Sequence, residues 1–179
     1  FASPDSDYDV RFIYVRPKDA YLRLQKHRDV IELPINDALD INGWDLTKTL
    51  RLLHKSNPTL FEWGASPIVY LETDFAARFK SVMGRYFSSK RGLYHYIHMA
   101  AGNYREYIKG DMIKAKKYFY VLRPVLACRW ILDKGSPPPM LFSELMESGL
   151  APELKPEVER LLELKVNSPE IRMIPLKSG

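Results

Sequence analysis

A single change of pattern constrains this chain most. Up to Asn42 it offers short β-rich runs bounded by turn-prone residues, whereas from Thr73 onward apolar residues recur at three-and-four spacing almost without interruption. Strands repeat every two residues and helices every 3.6, so a sheet-forming first portion precedes a helical remainder. DYDVRFIYV (7–15) places Val10, Phe12 and Tyr14 on one parity and Asp7, Asp9 and Arg11 on the other, and reads as a strand. RDVIELPI (28–35) and ALDIN (38–42), separated by Asn36-Asp37, read as an antiparallel hairpin. Gly43 then releases the chain into a helix over WDLTKTLRLLHKS, where Trp44, Leu46, Leu50 and Leu53 share helical spacing and Asn57-Pro58 ends the run. SPIVYLE (66–72) reads as one more short strand or an extended linker.

Helices are expected over 73–88, 91–109 and 111–131, punctuated by Gly92 and Gly110. The Pro-rich stretch Ser136 to Pro139 is a loop before two last amphipathic helices over 141–147 and 156–165. The fold class predicted is α+β: a small mixed sheet with flanking helices over 1–72, then a helical bundle over 73–179. A chain of 179 residues that is 46% hydrophobic can bury a core of this kind. It holds no run of about eighteen apolar residues and no basic-then-apolar leader, so a cytoplasmic protein is expected, with no membrane among its partners. Its one cysteine, Cys128, excludes a disulfide framework within the chain and a cysteine-based zinc site.

Charge is segregated. Lys80 to Lys134 holds 12 Lys and Arg against 3 Asp and Glu, and seven of the eleven tyrosines. Basic side chains interleaved with aromatics suit phosphates and stacked bases. A bundle with tyrosines in its core and a solvated basic face fits the pattern equally well.

Carboxylates two apart on a strand project from one face, so Asp7 and Asp9 stand side by side, an arrangement that a divalent cation would stabilise. Mg2+ takes one or two protein carboxylates and completes its shell with waters and substrate phosphate oxygens. Asp40, on the next predicted strand between Leu39 and Ile41, is the best third carboxylate. An EF-hand is excluded, because Val10 stands where that loop needs Gly and Arg16 where it needs a bidentate Glu. Solvated aspartates capping a strand are the simpler alternative.

These residues carry a resemblance. SDYDVRFIYV is similar to the active-site strand of the DNA polymerase beta type nucleotidyltransferase superfamily, in which Gly-Ser and a short spacer precede two aspartates alternating with apolar residues. With RDVIELPI, LDINGWDLTKTLRLLHKSNPTLFEW, SPIVY, YHYIHMA and KKYFYVLRPVLACRWI, nearly the whole chain resembles the YcgL-type predicted nucleotidyltransferases, the RNA-repair-pathway DNA polymerase beta family. The resemblance implies that Asp7, Asp9 and Asp40 are the metal-binding and catalytic carboxylates, holding two Mg2+ ions or Mn2+ in their place. It implies a nucleoside triphosphate as substrate and an RNA end as acceptor. The Gly-Ser element, which in the superfamily cradles the phosphates, is expected upstream of Phe1, leaving Ser6 as the nearest nucleotide-binding residue of that motif.

In such an enzyme the face shared by Lys116, Tyr120 and Arg123, spaced four and three apart, would hold the β- and γ-phosphates and stack the base, with Lys117 a weaker substitute. The alternative has Lys116 solvated, Tyr120 in the core and Arg123 paired with an acid. Pro124 removes a backbone donor beside that face. His95 and His98 read as packing or hydrogen-bonded histidines, Lys55 as ordinary charge complementarity at a helix end, and Cys128 as a small buried hydrophobe.

The function expected is metal-dependent transfer of a nucleoside monophosphate to an acceptor hydroxyl with release of pyrophosphate, Asp40 accepting the acceptor's proton. Two alternatives stay open: transfer to a protein or small-molecule hydroxyl, and a non-catalytic nucleotide- or RNA-binding module.

Overall fold

The computed structural model describes residues 8–34, 39–167 and 173–175. Asp5, Ser6 and Asp7, and the Asn36-Asp37 turn, lie outside the described residues. The architecture is α+β. Strand β1 (Tyr8–Tyr14) leads through a short helix α1 (Lys18–Leu22) to β2 (Val30–Glu32) and β3 (Leu39–Asp45). The helices α2 (Leu46–His54), α3 (Pro58–Gly64), α4 (Asp74–Met83) and α5 (Ser89–Tyr107) follow. A short strand β4 (Met112–Lys114) leads into α6 (Ala115–Lys134), then α7 (Phe142–Gly149), α8 (Lys155–Val166) and β5 (Met173–Pro175).

The first sheet runs β1-β3-β2, with β2 antiparallel to β3 as the hairpin reading expects and β1 parallel to β3. Register sets Asp9 beside Asp40, Arg11 beside Asn42 and Phe12 beside Gly43. Gly43 does not release the chain: it lies inside β3, where a Cβ would meet the Phe12 ring at 2.3 Å. The strand continues to Asp45, so Trp44 belongs to the sheet and α2 starts at Leu46, two residues later than helical spacing indicates. Asp45 decides that start. Its carboxylate accepts the Thr47 N–H at 2.8 Å, the arrangement of an N-cap.

Asn57 and Pro58 end α2 and at once open α3, because the Asn57 side chain accepts from Leu60 N and Pro58 occupies the first turn, where no backbone donor is needed. SPIVYLE forms no strand and reads out as the linker. Residues 111–114 are not helical: Met112–Lys114 pair antiparallel with Met173–Pro175, a contact between residues some sixty apart that local spacing does not encode.

Three apolar clusters hold the elements together. Leu53, Leu60, Phe61, Phe79 and Met83 join α2, α3 and α4 beneath Ile13 and Trp44 of the sheet, with Trp44 stacked on Trp63 at 3.7 Å between centroids. Tyr96, Ala127 and Ile131 join α5 to α6, and Phe87 packs against both clusters. Phe119, Leu126, Phe142, Leu145, Met146 and Val158 seat α7 and α8 on α6. Helix α6 runs through Pro124, which cannot bond the carbonyl of Tyr120 four residues back. Asn103 of α5 fills that place, its Nδ2 donating to the Tyr120 carbonyl at 2.7 Å. Gly135 then ends α6 in the left-handed conformation, at φ 65°. Among the described residues no helix is long and apolar enough to cross a membrane.

Candidate active site

In adjacent parallel strands, residues in register project to the same side, so Asp9, Arg11, Asp40 and Asn42 share one face of the sheet. Further along that face come Ile13 and Trp44, which enter the core. The face therefore passes from open and polar at the start of the strands to buried and apolar at their ends. Asp9 is 70% exposed and Asp40 33%.

Both carboxylates converge on one cation. Arg11 Nη2 donates to Asp9 Oδ1 at 2.6 Å and to Asp40 Oδ2 at 2.7 Å, while Nη1 donates to the Asp40 carbonyl at 2.8 Å. The Asp9 pair, with its carboxylate exposed, stabilises the fold by on the order of 1 kcal/mol or less, whereas the Asp40 pair is part-buried. Beside them, Asn42 Nδ2 donates to Glu32 at 3.4 Å, and the buried Asn42 Oδ1 has no partner among the described residues.

The donor chemistry fits a hard divalent ion: two carboxylate oxygens from adjacent strands address a single point, now met by the Arg11 nitrogen. Among the described residues no three His, Cys, Asp or Glu side chains gather to hold a metal, and Asp7 is not one of those residues. Spacing alone found Asp9 and Asp40 but missed Arg11. The signal was present, since Arg11 lies two residues from Asp9 on the same parity and carries the opposite charge.

The helical residues are placed differently. Arg123 donates to the Met140 carbonyl at 2.8 Å and lies 3.9 Å from Glu62, which also accepts from the Tyr96 hydroxyl at 2.9 Å. Burial and the neighbouring Glu62 carboxylate raise the Tyr96 pKa and keep the phenol protonated as the donor. Lys117 Nζ lies 3.5 Å from the centre of the Tyr107 ring and 4.5 Å from that of Tyr120, a cation held between two aromatics. Lys116 sits half-buried in the first turn of α6. Among the described residues, no hydrogen bond, ion pair or ring contact joins Lys117, Tyr120 or Arg123 to Asp9 or Asp40. The histidines are ordinary: His98 Nδ1 bonds the Tyr94 carbonyl at 2.6 Å and His95 packs edge-on against Tyr96. Cys128 is partly buried, and burial raises its thiol pKa.

Comparison with known proteins gives two findings. Residues 1–176 match the family described as the RNA repair pathway DNA polymerase beta family. An uncharacterized protein, YcgL of Bacillus subtilis (strain 168), is 53% identical over 173 residues, which are 96% of this chain and 66% of that relative's length. The chain thus spans just under two thirds of the relative. No solved structure gives a significant match.

Proposed function

The chain belongs to the RNA repair pathway DNA polymerase beta family, and from that premise we propose that it is a nucleotidyltransferase whose active site is the Asp9–Asp40 face of the sheet. The observation that carries this reading is the convergence of two carboxylates from adjacent strands on one cationic point at 2.6 and 2.7 Å. Asp9 and Asp40, with Asp7 as the resemblance assigns it, would hold divalent Mg2+ or Mn2+. Such ions supply charge neutralisation at the triphosphate and orientation of its oxygens.

The protein's own groups do the rest. Asp40 is anchored through its Oδ2 and its carbonyl by Arg11, which fixes the carboxylate's direction and leaves Oδ1 to accept the acceptor hydroxyl's proton. Arg11 is the cation that the fold itself supplies, and its planar guanidinium matches a phosphate as well as a carboxylate. The Tyr120 and Lys117 pair on α6 is the proposed stacking surface for the base, and Lys116 and Arg123 are the proposed phosphate ligands. An RNA end is the acceptor in this reading, as the family's name supports, and the cytoplasm its place of action.

The test is transfer of label from an α-labelled nucleoside triphosphate to RNA, protein and metabolite acceptors, with pyrophosphate release followed in parallel. Wild-type protein transfers label to RNA. Asp9→Asn and Asp40→Asn each lose at least about 1000-fold of that rate, in keeping with removal of groups that organise charge in the transition state. A second reading, a non-catalytic binding module, is favoured by one observation: Arg11 already neutralises both carboxylates. It takes over when nucleotide binds equally well with and without Mg2+ and no acceptor is labelled.

A further inference from the structure

A second polar site lies where α2, α3 and α5 meet. An open cleft of about 500 Å³ is lined by Lys55, Ser56, Asn57, Lys90, Arg91 and Tyr94 among others, and no acidic residue lines it. The cleft is built with care. Ser56 follows the last turn of α2 at φ 54°, a left-handed conformation in which glycine is the usual residue. It sits in the turn that closes α2, where Ser56 N donates to the Leu53 carbonyl at 2.9 Å and Asn57 N to the Leu52 carbonyl at 2.9 Å. Glycine would relieve the backbone but would lack the hydroxyl. Ser56 Oγ, on a residue only 1% exposed, accepts the Ser88 N–H at 2.8 Å, so the strained turn is tied to the start of α5. Arg91 makes the second tie, Nη1 donating to the His54 carbonyl at 3.1 Å.

These ties hold three cations against one opening. Lys55 and Lys90 are exposed, and among the described residues neither has an acidic partner. Like charges gathered without acids repel, so an anion bound among them would relieve that repulsion, with a strength that depends on salt. Tyr94, 58% exposed, lies in the same lining one helical turn beyond Lys90 and Arg91. A cationic cleft continued by an exposed aromatic ring fits a strand of phosphates with unpaired bases, since every base has a face that stacks on tyrosine.

We propose that this cleft binds the backbone of a single-stranded polynucleotide, Lys55, Lys90 and Arg91 meeting its phosphates and Tyr94 stacking on one base. The proposal rests on the polynucleotide reading of the acceptor and gives the acceptor strand its own docking site, separate from the carboxylate face. The test is binding of a short fluorescent single-stranded RNA by anisotropy across a salt series, with the double variant Lys55→Glu/Lys90→Glu and, separately, Tyr94→Ala. Both lysines are exposed, so the double variant keeps the wild-type melting temperature. Its affinity falls at least about tenfold, and its dependence of log K on log salt flattens by about 1.4, from two lost phosphate contacts at about 0.7 each. Tyr94→Ala lowers affinity about tenfold with the slope unchanged. Unchanged affinity and slope in a folded double variant overturn the proposal. So does saturation by inorganic phosphate that depends on Lys55 and Lys90 while RNA affinity does not, which would mark a small-anion site. Label transfer by the wild-type protein tests the transfer reading and RNA affinity of the Lys55/Lys90 double variant tests this one, so the failure of either is read from a separate measurement.

Discussion

Two Asp–Arg clusters lie at opposite ends of the β1–β3 pair, and they are held in different ways. At the start of β1 and β3, Asp9 and Asp40 meet Arg11 on an open face. At the end of β3, Asp45 is 1% exposed; it caps α2 through Thr47, accepts the Tyr21 hydroxyl at 3.0 Å and lies 3.7 Å from Arg16. The Tyr21 hydroxyl in turn accepts the Arg16 N–H at 2.9 Å, closing the ring. Every partner of Asp45 is part of the fold, whereas the partners of Asp9 and Asp40 reduce to one side chain that can be exchanged for another cation. Residue type does not separate the two clusters here. Burial and the number of fixed donors do.

That contrast is open to attack at several strengths. Asp45→Ala leaves a helix uncapped and a buried hydroxyl without its acceptor, and is expected to cost about 3 kcal/mol in denaturant unfolding. Asp9→Ala costs less than about 1 kcal/mol, and equal losses at the two sites would erase the distinction. The acid limb of stability sharpens it further. Burial disfavours the Asp45 carboxylate, but the donors from Thr47 and Tyr21, with Arg16, outweigh it and set its pKa below the ordinary value. A lowered folded pKa means stability that is present at neutral pH and is lost as pH falls past the ordinary carboxylate range toward the lowered value. Asp45→Asn therefore flattens the acid limb of a melting-temperature profile, and a limb identical to wild type would count against this role.

Gly43→Ala is expected to cost about 2 kcal/mol by overpacking, since the new methyl group meets the Phe12 ring. Pairing it with Phe12→Leu restores part of that loss, which a double-mutant cycle measures. The smallest effect is expected at Arg11. Arg11→Gln changes stability by less than about 1 kcal/mol and raises Mn2+ affinity several-fold, because two carboxylates lose the cation that competes for them. Unaltered Mn2+ affinity would mean that Arg11 and metal do not share the point.

The sequence carried much of this, unevenly. That Asp9 and Asp40 belong to one sheet was legible from strand alternation, but the parallel pairing that sets them side by side was not, because the hairpin joins β2 to β3 and says nothing of β1. The end of β3 was not legible either, since Trp44 satisfies helical spacing as well as strand alternation, and only Asp45, a capping residue, distinguishes the two. The β4–β5 pair was invisible because its partners lie far apart in the chain. Arg123 was legible as one of two alternatives, and the structure supplies the acid, Glu62, that one of them requires. The Lys55 cleft was missed for a different reason. Lys55 alone is an ordinary helix-end lysine, and it becomes notable only when folding brings Lys90 and Arg91 beside it.

The central claim is that Asp9 and Asp40 form a divalent-ion site for a nucleoside triphosphate. Isothermal titration of triphosphate into wild-type protein and Asp9→Ala, with Mg2+ and with chelator, tests it most directly. Wild-type protein is expected to bind with Mg2+ at least about tenfold more tightly than without, and Asp9→Ala to lose that difference. Binding of equal strength with Mg2+ or chelator, unchanged in Asp9→Ala, would contradict the account.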